Sequence, residues 1–217
     1  MSRIRLLPLR LAAAIGIGSL ACVGVVYAAS LGLSSNKLFA WGQTLTKGTC
    51  NQTSTTADDT YVQQASPTST AGATATTLSI SPTAGSQRYA FIRFNLSGCG
   101  IPTTGGADSA VLTVNVRTAG ADTVSLFPVT SSWSSSTLTW NGVSGLTIGS
   151  TATGSFSAST TGPKTVTVTA DVDNAIKAGT LWGWELRATS GTATVAIGAA
   201  ENLTAANRPS MTLSYEK

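Results

Sequence analysis

Tyr89, Phe91, Arg93 and Asn95 occupy alternate positions in one stretch of the chain, and Asn115 and Arg117 repeat the arrangement further on. Alternate positions share one face of a β-strand, so aromatic rings and hydrogen-bonding heads fall side by side. Rings of this kind stack on the apolar faces of sugars while Arg and Asn hydrogen-bond to hydroxyls, so the set could hold a glycan chain. Glu185 and Arg187 join it if their strand lies in the same sheet. A structural role accounts for the same residue types: Arg93, Arg187, Glu185 and Glu201 would then form an ion-pair network beneath a loop. Both readings are open at this level.

The tryptophans divide similarly. Trp133 and Trp140 flank a Ser/Thr-rich connection of the sort found at a sandwich edge, where they serve either as stacking platforms or as plugs. Trp182 and Trp184 share a period-two face with Leu186, which assigns both to a core.

Histidine is absent from the 217 residues, which excludes a Ser-His-Asp triad, a Cys-His pair and imidazole metal ligands. Glycoside hydrolysis normally needs two carboxylates across a cleft. The 9 acidic residues fall mostly at turns and strand starts, where capping and solvation explain them. The lysines and serines show no nucleophile-and-base spacing, and no Gly-rich phosphate loop precedes a helix. The expectation is a protein that is not an enzyme and needs no cofactor. A structural Ca²⁺ held by Asp58 and Asp59 with backbone carbonyls is an open alternative.

Net charge is +4, but Arg3, Arg5 and Arg10 stand immediately before an apolar, uncharged run from Leu11 to Ala28. A basic start, an apolar middle and the exit Val26-Tyr27-Ala28 read as a secretory signal peptide over residues 1–28. An uncleaved amino-terminal anchor and lipidation at Cys22 are the alternatives, so any membrane contact runs through this leader. The remaining chain holds 10 basic and 9 acidic residues, a net charge of +1, which argues against nucleic acid. It also holds two cysteines, Cys50 and Cys99. In an exported protein two thiols are expected to form one disulfide, here stapling the entry segment to the first hairpins.

The elements that would position these residues alternate with period two from Asp58 onward. Leu78–Ser81, Arg88–Leu96, Ser109–Arg117, Thr123–Val129, Lys164–Val172, Trp182–Thr189, Thr192–Ile197 and Ser210–Tyr215 read as strands bounded by Gly, Pro, Asn or Ser. Asp171–Ala178 places Val172, Ala175 and Ile176 on one helical face and reads as a single short helix. The fold class is all-β, an antiparallel β-sandwich with at most one helix. Residues 29–54 form an apolar arm, with Leu31, Leu33, Leu38, Phe39, Trp41 and Leu45. It is either an extra strand on its own sandwich or an arm that docks on a second subunit by strand addition. Residues 55–217 form the module.

The order of segments is itself informative. Asp59-Thr60-Tyr61-Val62, Arg88-Tyr89-Ala90-Phe91-Ile92-Arg93-Phe94-Asn95-Leu96, Leu138-Thr139-Trp140-Asn141, Gly183-Trp184-Glu185-Leu186-Arg187 and Arg208-Pro209-Ser210-Met211-Thr212-Leu213 resemble, in sequence, the DNRLRE domains grouped as family 96 carbohydrate-binding modules. The resemblance implies a jelly-roll-like sandwich from secreted or cell-surface bacterial proteins, with a polysaccharide or cell-surface component as partner; alginate is bound by one type. Ala200 stands where the family tends to have Arg, and Ser134, Ser135 and Ser136 where it tends to have an acidic residue. With a net charge near zero, these departures weaken the case for an acidic polymer.

Overall fold

Alternation of apolar and polar residues becomes strand along most of the chain. The computed structural model describes residues 46–53, 56–102 and 104–216; the leader and residues 29–45 of the arm lie outside the described residues. The strands are β1 (Lys47–Gln52), β2 (Ala57–Gln63), β3 (Thr77–Ile80), β4 (Arg88–Phe94), β5 (Ala107–Thr118) and β6 (Thr123–Pro128), then β7 (Gly154–Ser157), β8 (Gly162–Thr167), β9 (Trp184–Ser190), β10 (Val195–Gly198) and β11 (Ser210–Glu216). One helix, α1 (Thr169–Ala178), separates β8 from β9. Among the described residues no helix is long and apolar enough to cross a membrane.

Two antiparallel sheets face each other. The five-stranded sheet runs β2-β4-β9-β6-β7, and the six-stranded sheet runs β1-β11-β5-β10-β3 with β8 on the other edge of β5. Ala90, Ile92 and Phe94 of β4, Leu112 and Val114 of β5 and Trp184 of β9 meet in the space between, each at most 1% exposed. Residues at alternate positions of each strand point there, as the pattern requires. This is the antiparallel β-sandwich expected.

The strand expected over Lys164–Val172 stops at Thr167, and the chain turns into α1 two residues before the helix expected from Asp171. Val172, Ala175 and Ile176 are buried on its inner face. Gly179 ends it with φ of 76°, and Thr180 donates back to Ala175 O at 3.0 Å. A left-handed residue closing a helix in this way favours glycine. β7, a short Gly/Ser stretch, had no sequence signal.

The end of the arm is β1, which pairs with β11 over Lys47–Gln52. Cys50 of β1 is bonded to Cys99 in the turn Ser97–Cys99, with Cα atoms 5.6 Å apart. Gln52 Nε2 donates to both sulfurs, at 3.0 and 2.8 Å, and Tyr215 Oη donates to Cys99 O at 2.6 Å. The bond joins residues 49 positions apart in sequence. Replacing both cysteines by alanine is expected to lower the unfolding free energy by about 4 kcal/mol, read as an earlier midpoint in urea.

Candidate functional site

β4 and β9 are neighbours, so Tyr89, Phe91, Arg93, Glu185 and Arg187 do share the outer face of one sheet. That face is not open to solvent. The chain from Val129 to Ile148 folds back over it, closed by a bridge between those two residues and by Asn141 N donating to Pro67 O at 3.1 Å. Under this roof Val62, Phe91, Val129, Trp133 and Leu138 form a second, smaller core. Phe91 is fully buried, with its ring centroid 5.6 Å from that of Trp133, and no sugar can reach it. Trp133 is buried and donates through Nε1 to Trp182 O at 2.7 Å; Trp140 lies 4.9 Å from Tyr89. The roof makes Trp133 a plug, whereas Trp140 is half-buried beside Tyr89.

Two ion pairs run beneath or beside the roof instead of one network. Glu185, 1% exposed, is paired by Arg187 Nε at 2.8 Å. Burial pushes the Glu185 carboxyl up from its ordinary value, and the Arg187 guanidinium pulls it back down. Arg187 also lies over Phe127 at 4.2 Å and Tyr89 at 5.5 Å. Burial likewise raises the Tyr89 phenol, against the pull of Arg187. The second pair joins Arg93 to Asp58, its register partner on β2, with Nε at 3.0 Å and Nη2 at 2.7 Å from Oδ2. The same guanidinium is 5.1 Å from the Trp133 ring and 5.4 Å from the Trp182 ring.

Asn115 and Arg117 do not join this face, because β5 belongs to the other sheet. There Asn115 donates to Ala206 O at 3.2 Å and Arg117 to Asn207 Oδ1 at 3.0 Å, pinning the turn Ala205–Asn207. Asn95 lies just past β4, exposed, its Oδ1 accepting from Ser97 N at 2.9 Å.

What the geometry does open is a cleft of about 660 Å³ at one end of the sandwich. Asp58, Arg93 and Asn95 form one wall, and Thr180, Leu181 and Trp182 the other. A smaller hollow of about 310 Å³ adjoins it, and Ala175, Thr180, Leu181 and Trp182 line both. Both volumes fall in the range of small-molecule sites. Trp182 does not enter the main core with Trp184. Gly183 takes φ of 76°, and a Cβ there would sit 2.0 Å from Ile92 O. The strand alternation breaks at this glycine, and the half-buried Trp182 side chain lies in the cleft wall. The signal for this was the glycine between the two tryptophans.

Asp58 and Asp59 do not converge on a cation, because successive strand residues point to opposite faces. Asp58 faces Arg93, while Asp59 is 1% exposed and accepts from Ala200 N at 2.8 Å. Burial, with Glu201 nearby, pushes the Asp59 carboxyl up to about 8, against the Ala200 bond that lowers it. Among the described residues no group of three or more acidic or thiol side chains is placed to hold a metal ion.

The chain belongs to carbohydrate-binding module family 96, whose family model matches residues 51–215. No curated protein matches the chain.

The native Asp59 holds a proton that the unfolded chain releases near 3.8. Stability from this group is therefore complete below 3.8 and is lost as pH rises through about 8. The melting temperature of the native chain should fall across that window. Asp59→Asn, which keeps an acceptor for Ala200 N–H, should flatten the decline and melt higher than the native chain in mild alkali.

Proposed function

We propose that the chain is an exported, non-catalytic module that binds a polysaccharide outside the cell, and that the end cleft is its binding site. The observation that carries this reading is the meeting of Trp182 with Asp58, Arg93 and Asn95 around one open cavity of about 660 Å³. An indole offers an apolar face for the C–H side of a sugar ring, and the polar groups fix hydroxyls around it. Family membership supports the ligand class. The basic start and apolar run of residues 1–28 support export.

The lining speaks against catalysis. Among the described residues lining the cleft Asp58 is the one carboxylate, and it is held by Arg93, whereas glycoside hydrolysis uses two opposed carboxyl groups.

Affinity electrophoresis through gels containing soluble polysaccharides, with sedimentation on insoluble ones, tests the reading. The chain should be retained by at least one polymer, and Trp182→Ala should weaken that retention at least tenfold. Trp140→Ala, on the roof, should retain the polymer even though it lowers the melting temperature. Retention unchanged by Trp182→Ala, or no polymer retained, would overturn the site.

A further inference from the structure

We infer that the cleft selects an uncharged sugar presenting two adjacent free hydroxyls and discriminates against uronates. This rests on the cleft being the glycan site. Among its described lining residues Asp58 and Arg93 are the charged ones, one of each sign, so the wall is neutral overall. The guanidinium is also committed: two of its five N–H groups go to Asp58 Oδ2, and Trp133 and Trp182 lie within 5.4 Å of it. One of the two edges by which arginine grips a carboxylate, Nε with Nη2, is already occupied, and its charge is matched by that of Asp58.

What the pair leaves free is complementary to a diol. Asp58 Oδ1 has no hydrogen-bond partner among the described residues, and Asp58 keeps 29% of its side chain exposed. Arg93 has N–H groups to spare beside it, with its side chain 25% exposed. An acceptor and a donor held side by side match two neighbouring hydroxyls of one ring, the first donating to Oδ1 and the second accepting from the guanidinium. Asn95 adds a further donor, because its Oδ1 is taken by Ser97 N while Nδ2 has no partner among the described residues. A uronate in the same place would set its carboxylate against Asp58 and find the opposing positive charge already neutralised. Juxtaposed like charges are an effective means of rejecting a wrong partner.

The test uses the purified chain and matched polymers. Retention is first measured on neutral glucans, mannans and xylans, and on pectate and alginate. The polymer bound best is then oxidised at its primary hydroxyls to carboxylates, or, if it has none, replaced by its uronate-substituted counterpart. This adds charge and leaves the ring hydroxyls in place. The expected results are that a neutral polymer binds best and that the acidic partner binds at least tenfold more weakly. Asp58→Asn should narrow that gap, because it leaves Arg93 unneutralised. A glucan joined through O3, whose interior rings have no adjacent hydroxyl pair, should not be retained, whereas one joined through O4 should be. Preference for pectate or alginate with retention lost in Trp182→Ala would overturn the selectivity and leave the site standing. Retention indifferent to Trp182→Ala would overturn both. The comparison of native and oxidised polymers needs no variant, so it decides the matter even if Asp58→Asn fails to fold.

Discussion

The Arg93 guanidinium ties the parts of this molecule together. Its Nε and Nη2 cross from β4 to Asp58 on β2, and its charge lies close to two indole rings, one from the roof and one from the segment after α1. A partly exposed ion pair of this kind adds little stability by itself. Its value is geometric, since the planar fork fixes the angle between β2, the roof and the cleft wall at once. Lysine would keep the charge but could neither bind Asp58 with two parallel N–H groups nor stack on the rings.

The two glycines on either side of Thr180–Trp182 do the complementary work on the opposite wall. Gly179 ends α1 and Gly183 opens β9, both with φ of 76°. Between them the chain is too short to wander. The carbonyl of Trp182 accepts the Trp133 indole N–H, and Val129 N donates to Gly183 O at 2.9 Å, so the roof and the cleft wall are fastened by the same few residues. Such a strap leaves the Trp182 indole little freedom of orientation in the cleft wall.

Period two made the sandwich and most of its strands legible in sequence, because burial on one face leaves its mark at every second residue of β4, β5 and β11. It also identified Tyr89, Phe91, Arg93, Glu185 and Arg187 as one outer face. Alternation says which side of a strand a residue is on, but not what lies over that side. The roof from Val129 to Ile148 has little period, so the burial of Phe91 beneath Trp133 could not be read. Asn115 and Arg117 fitted the same alternation in a strand that belongs to the other sheet. The pairing of Asp58 with Arg93 depends on strand register, which neither residue encodes locally. Alternation places Trp182 on the core face with Trp184, but the positive φ of Gly183 breaks the alternation between them and turns Trp182 to the other side.

Three buried or half-buried carboxylates show how a chain without histidine handles acid groups in a sandwich. Asp58 is paired with an arginine at a cleft edge, and Glu185 is balanced by Arg187 beneath a layer of aromatic rings. Asp59 has no such cation: the backbone N–H of Ala200 helps it, while burial and Glu201 push the other way. A charge in that position would be costly, and holding a proton is the cheaper state.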